Sequence, residues 1–242
     1  MIEMHLPAGF LDTFIGAFDF ILHEREGGGG NLVGGPADFL RLTWAQIEVS
    51  AVALAGSLAI ALPIGAWFGH LGRGEFLAIG FGNAGRAIPE LAVIVLLASV
   101  IGIGLGNVAV ALMVLGVPPI LTNAFVGVHQ VDPRTVEAAR GMGMGELGVL
   151  LRIELPLAVP TIMSGVRTAA INIIATATIA SIVGFSTLGD FIFGENTYGT
   201  EGVVAGAIVV ALLALVVELL LAGLQSLLTS PGLKLQRARE GA

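Results

Sequence analysis

Five apolar runs dominate the sequence, and the last of them, residues 203–228, carries one charged side chain, Glu218. A helix that crosses a bilayer needs roughly 20 mostly apolar residues. Residues 47–69, 88–103, 107–128, 157–184 and 203–228 qualify, the second being the shortest and reaching back toward Phe76 if it begins earlier. Composition agrees: 55% of the residues are hydrophobic and 12% charged, about half the charged share of an ordinary soluble domain. These values exclude a water-soluble core-and-shell protein and define an all-α polytopic membrane protein with five transmembrane helices. Acidic residues outnumber basic ones 18 to 11, a net charge of −7, which excludes a nucleic-acid binder that needs clustered Lys and Arg. Cysteine is absent, and with it disulfides, thiolate metal sites and cysteine nucleophiles.

Trp44 and Trp67 bracket the first run. Their 23-residue separation is roughly 34 Å along a helix, a spacing that suits indole anchors at both interfaces. The segment 10–22 is different. Asp12, Gly16, Asp19 and His23 recur at helical spacing and form one polar stripe. The segment is too short to span, and carboxylates in lipid are costly, so an amphipathic helix lying in the outer interface is expected. Residues 1–6 contain no basic residue, which argues against a signal peptide. Gly27–Gly30 and Gly34-Gly35-Pro36 read as a flexible linker. The expected organisation is an external amphipathic helix and linker at 1–46, a transmembrane domain at 47–229, and a cytoplasmic tail at 230–242.

Positive charge orients the chain. Arg73 and Arg86 lie between the first two runs, Arg134, Arg140 and Arg152 between the third and fourth, and Lys234, Arg237 and Arg239 after the fifth. The turns at 104–106 and 185–202 carry no Lys or Arg. Basic loops mark the cytoplasmic side, so the N-terminus is expected outside and the C-terminus inside a cell membrane. A sixth span breaks this alternation.

The longest interior connection is residues 131–156, VDPRTVEAARGMGMGELGVLLRIELP. Asp132 can cap a helix whose first position suits Pro133. Gly141, Gly143 and Gly145 then end the helix or admit another backbone. A mere turn needs far fewer residues, so this short cytoplasmic helix reads as a handle for a second protein.

These residues carry a resemblance. Glu137-Ala138-Ala139, then Gly143, Ile153 and Leu155-Pro156, reproduce the spacing of the EAA loop of ABC-importer permeases. Asn83, Arg86-Ala87-Ile88-Pro89, Val131-Asp132-Pro133, Arg140-Gly141-Met142-Gly143-Met144, and Pro160 with Gly165-Val166-Arg167-Thr168-Ala169 resemble the branch that imports glycine betaine, choline, carnitine and proline betaine. The resemblance runs from about residue 47 to residue 228. It implies a type I ABC-importer permease fold whose 131–156 loop holds a coupling helix seated on a separate ABC ATPase. Glu137 would make polar contact there with Arg140 beside it, Ala138 and Ala139 would permit close packing, Gly143 would shape the turn, and Pro156 closes the motif. It also implies a second permease subunit, identical or related, and a separate extracytoplasmic substrate-binding protein, for which 185–202 with Asp190, Glu195 and Glu201 is a landing surface. No cofactor is expected on this chain; ATP and Mg²⁺ belong to the ATPase. The only lysine is Lys234, and no phosphate-binding Gly-rich loop with Lys-Ser/Thr is present.

Arg167, Asn172, Thr176 and Glu218 are polar groups within runs. Arg167 lies near mid-membrane if its helix starts at Pro156 and near the inner surface if Pro160 delays it. Two readings stay open for the set: a polar lining of a translocation path, or internal bonds that lock the bundle. Glu90 after Pro89 suits a helix N-terminus. Gly65-x-x-x-Gly69 and Gly102-x-x-x-Gly106 suit close helix packing within the chain or across a dimer. Gly143-x-Gly145-x-x-Gly148 formally matches a dinucleotide fingerprint, but no strand precedes it. His5, His23, His70 and His129 lack metal-ligand spacing, and no set of residues supports an enzyme. The chain thus reads as half of a compatible-solute importer, against a permease for another small solute such as an amino acid, an ion-gradient-driven carrier, or a membrane scaffold.

Overall fold

The computed structural model of the protein describes residues 8–74, 80 and 89–229. Helix α1 (Ala8–Leu22) leads into an antiparallel hairpin of β1 (Glu24–Glu26) and β2 (Leu32–Gly34), in which Arg25 pairs with Val33. Then follow α2 (Gly35–Leu71), α3 (Glu90–Ile101), α4 (Leu105–His129) and α5 (Pro133–Gly141). Helix α6 (Glu146–Val149) passes through a π-helical turn (Leu150–Glu154) into α7 (Leu155–Ala177), which tightens to 3₁₀ geometry over Thr178–Val183. Last come α8 (Gly189–Phe193) and α9 (Glu195–Leu228).

Among the described residues four helices are long and apolar enough to cross a bilayer: Gly35–Leu71, Leu105–His129, Glu146–Val183 and Glu195–Leu228. The expected second span appears as α3, 12 residues or about 18 Å long; Arg86 and the proposed early start near Phe76 lie outside the described residues. Helix α2 begins at Gly35, well before residue 47, because a helix that protrudes from lipid no longer needs apolar residues. Asp38 stands in its first turn and accepts the Gly34 N–H at 3.3 Å, where a carboxylate offsets the helix dipole.

Glycine sets the packing of the bundle. A methyl group at Gly65 would lie 2.6 Å from the Leu121 carbonyl oxygen, and one at Gly69 would lie 2.6 Å from that of Phe125. Both close approaches are within the chain, and their rising order makes α2 and α4 parallel. One at Gly165 would meet the Pro119 carbonyl at 2.6 Å, and Gly127 faces Ala158 and Thr161, so α7 runs antiparallel to α4. Small residues let helix backbones approach where lipid supplies no hydrophobic drive. Around these contacts Ala61, Ile120, Ala124, Ala158 and Ala169 form a buried core, and Gln46 Nε2 donates to the Ile174 carbonyl at 2.7 Å. The other expected packing pair is open: nothing stands within 4 Å of a methyl group at Gly102 or Gly106.

The glycine-rich segment is not a flexible linker. Gly27 N–H donates to Asn31 O at 2.8 Å, and Gly28 N–H donates to Thr197 O at 3.1 Å, seating the hairpin on the start of α9. Helix α1 has three faces. Asp12, Asp19 and His23 are exposed on one; Ala17 and Phe20 are buried on another; Leu11, Ile15, Phe18 and Leu22 form an exposed apolar third. Phe20 meets Phe39 and Phe191 edge-on, and Phe39 stacks on Phe191 at 4.3 Å. Arg25 lies 4.6 Å over the Phe20 ring and pairs with Glu201. The segment is therefore clamped to α2, α8 and α9 while its third face stays exposed.

Candidate functional site: the polar handle and the intramembrane polar groups

Helix α5 is built as its sequence dictates. Asp132 Oδ1 accepts the Arg134 N–H at 2.9 Å, and Pro133 occupies the first turn. Val136 and Ala139, one helical turn apart, are buried against Val149 with Val131, Met144 and Ile153. Glu137, Ala138, Arg140 and Gly141 are exposed, and Met142 beyond them is 77% exposed. Gly143 adopts φ 84°, a left-handed conformation that favours glycine. The helix is thus rooted on one face and bare on the other.

Two expectations change here. Ala139 packs into the chain's own cluster, so its small side chain serves internal packing; adjacent helix positions diverge by about 100°, which leaves Ala138 alone of the pair on the outer face. The connection also closes earlier than residue 156, since helix is continuous from Glu146. Pro156 lies exposed in the first turn of α7. Its missing N–H leaves the Arg152 carbonyl without the usual helical donor, and the π turn stands directly before it. The formal dinucleotide pattern at Gly143–Gly148 follows a helix, not a strand.

Behind α5 runs a line of ionisable side chains that sequence reasoning did not join. Arg140 Nη2 donates to Glu146 Oε2 at 2.8 Å. His70 Nε2 lies 3.1 Å from the same Glu146 oxygen, and His70 Nδ1 lies 2.6 Å from Glu154 Oε2. The His70 and Glu154 side chains are 2% and 5% exposed. The bond to Glu146 raises the Arg140 guanidinium above its ordinary value, with burial opposing. At the opposite end, burial pushes the Asp190 carboxyl up against hydrogen bonds from Ser186 and Thr187. No group of residues suited to a metal ion occurs among the described residues.

The four intramembrane candidates do not converge on one site: Arg167 and Glu218 pair, while Thr176 and Asn172 lie apart from them. Pro160 sits inside α7 without interrupting it, which places Arg167 well along the span. Arg167 Nε donates to Glu218 Oε1 at 2.9 Å and Nη1 to Gln225 Oε1 at 2.9 Å, while Gln225 Nε2 donates to Pro160 O at 3.3 Å. These bonds fasten α7 to α9, running antiparallel. Thr176 is buried and donates to Glu90 Oε2 at 2.9 Å, tying α7 to the first turn of α3. Asn172 is exposed, so the face it shares with Thr176 by spacing divides between the outer surface of the bundle and the seam. It continues a stripe formed by half-buried Thr161 and exposed Ser164 and Thr168. Sequence reasoning missed that stripe, although the recurrence of polar residues every three or four positions in an apolar helix was its signal.

The chain is thus a bundle of apolar helices with a polar helix rooted at one end. Comparison with known proteins places it: residues 61–229 match the binding-protein-dependent transport system inner membrane component family, and the chain belongs to that family. It is 36% identical over 200 residues to the carnitine transport permease protein OpuCB of Listeria monocytogenes, covering 82% of this chain and 91% of that one. It is 35% identical over 204 residues to the choline transport system permease protein OpuBB of Bacillus subtilis, covering 84% and 93%. The fold is that of a chain of the MetNI methionine ABC transporter, at TM-score 0.70 and 19% identity over 79% of this chain and 96% of that chain. An amino acid ABC transporter matches at TM-score 0.59 and 20% identity, covering 79% and 92%.

Proposed function

We propose that this permease imports a compatible solute (glycine betaine, choline, carnitine or proline betaine) by alternating access driven by a separate ABC ATPase. The observation that carries the proposal is α5: anchored beneath by Val136 and Ala139, it exposes Glu137 and Ala138 between two membrane-spanning helices. A small helix fixed directly to long ones converts a partner's closure into movement of the bundle. Similarity to carnitine and choline permeases supports the solute class. Hydrolysis of ATP, with its Mg²⁺, is assigned to the partner. The α5 end faces the cytoplasm under the positive-inside rule, with Arg73, Arg134, Arg140 and Arg152 there. The hairpin, α8 and Glu195–Glu201 then face outward, where a substrate-binding protein lands.

Ser164, Thr168 and Asn172 are unfavourable against lipid; they are assigned to a polar path completed by a second permease subunit. Arg167, Glu218 and Thr176, engaged with neighbouring helices, are assigned to holding that path in shape. The test is ATP-dependent uptake of labelled betaine into vesicles containing the complex purified with its ATPase and binding protein. Glu137→Lys is expected to lower uptake per ATP hydrolysed by roughly tenfold, the scale of a typical coupling free energy. Asn172→Leu is expected to impair uptake while assembly is retained. Unchanged transport in Glu137→Lys removes that side chain from the drive, and unchanged uptake in Asn172→Leu removes it from the path.

A further inference from the structure

Among the described residues, the side chains of α5 meet the rest of the chain mostly through apolar contacts, and Arg140 adds a hydrogen-bonded ion pair with Glu146. We propose that His70 is a positioning residue for transport: with Arg140, Glu146 and Glu154 it forms a polar strut that carries displacement of α5 to the adjoining ends of α2 and α7. The inference rests on the reading of α5 as the ATPase-contacting helix.

The strut joins four elements through three contacts. Arg140 leaves the end of α5 and meets Glu146, the first residue of α6. Glu146 shares its Oε2 with His70, the penultimate residue of α2. His70 turns its other ring nitrogen to Glu154, which closes the π turn before α7. Each ring nitrogen thus faces a carboxylate oxygen, one on Glu146 and one on Glu154. One end is dry and the other wet: His70 and Glu154 are buried, whereas Glu146 and Arg140 are exposed. Trp67, one turn earlier on α2, lies 5.8 Å from the His70 ring and limits its freedom to swing.

Stiffness follows from this burial. Hydrogen bonds to charged groups strengthen where water is excluded, and a buried carboxylate deprived of its partner is costly. Glu154 therefore holds His70 in place, and His70 follows Glu146 when α5 moves. A π turn at the anchorage point adds a place where the helix can change register, since such turns recur at functional sites. Apolar contacts between Val136, Ala139 and Val149 can slide; a bidirectional imidazole clamp cannot do so without breaking.

The experiment measures solute taken up per ATP hydrolysed by the complete complex in proteoliposomes. His70→Leu is expected to lower that ratio by roughly fivefold or more, with the ATPase still co-purifying and hydrolysing ATP. His70→Gln, which keeps an N–H donor for Glu154, is expected to restore the ratio to within about twofold of wild type. A normal ratio in His70→Leu overturns the strut, and so does a His70→Gln ratio no better than that of His70→Leu. If the leucine variant fails to assemble, Glu146→Ala decides, because this exposed side chain can be truncated without disturbing the buried pair. A lowered ratio supports the proposal and an unchanged one overturns it. Absence of ATP-driven uptake in the wild-type complex overturns the proposed function and the strut together; wild-type uptake with normally coupled variants overturns the strut alone.

Discussion

Arg167 shows how one side chain can hold a membrane helix. Its guanidinium reaches Glu218 and Gln225, two turns apart on α9, and Gln225 returns a bond to Pro160 O. The planar fork allows two partners at once, which an ammonium on a flexible stem does not reproduce. Helix α9 needs this fastening, for its buried residues are confined to Gly202, Ala205 and Gly206 near its start. Arg167→Leu strands the Glu218 carboxylate in a low-dielectric seam, and Glu218→Leu strands the guanidinium. Each single variant is therefore expected to lower the melting temperature in detergent more than the double variant does, because removing both partners leaves no uncompensated charge. Thermal unfolding of the four proteins forms a double-mutant cycle; simple additivity would show that the pair is not coupled.

Helices α2 and α4 meet through backbone, and that seam yields the next expectation. Gly65→Ala places a methyl group 2.6 Å from the Leu121 carbonyl oxygen, an overpacked contact expected to cost about 1–3 kcal/mol. Gly106→Ala meets open space and is expected to be neutral or to stabilise by up to about 1 kcal/mol, since alanine gives up less chain entropy in a helix. Chemical or thermal denaturation of the two variants measures the contrast; equal effects would deny the seam its close contact. The same seam marks what was legible in the sequence. Long apolar runs and Asp132-Pro133 declared helices through local rules of hydropathy and capping. The early start of α2 was hidden, since Asp38, Arg41, Gln46 and Glu48 interrupt hydropathy without interrupting a helix outside lipid. The turn at Gly27–Gly30 was hidden because its partner, Thr197, is distant in the chain. Likewise, only the fold brings His70 to Glu146 and Glu154, and only burial on a particular face separates Ala139 from Ala138.

Helix directions fix the path of the whole molecule. Gly65 facing Leu121 and Gly69 facing Phe125 make α2 and α4 parallel, so the chain between Leu71 and Leu105 must return to the end at which α2 began. Helix α3 lies on that return, and α7 and α9 then run up and down. This gives five passages through the molecule even though four described helices are individually long enough to span. An odd number fits the proposed orientation, in which the distribution of Arg and Lys puts the two termini on opposite sides. The absence of cysteine makes this directly measurable. Met142→Cys, next to α5 at a site 77% exposed, is expected to react with a membrane-impermeant maleimide only after the cytoplasmic side is opened. Gly29→Cys, in the hairpin turn with nothing within 4 Å, is expected to react in intact cells. Labelling of both from the same side would break the five-passage path, and a reversed pattern would place α5 beyond reach of any cytoplasmic ATPase.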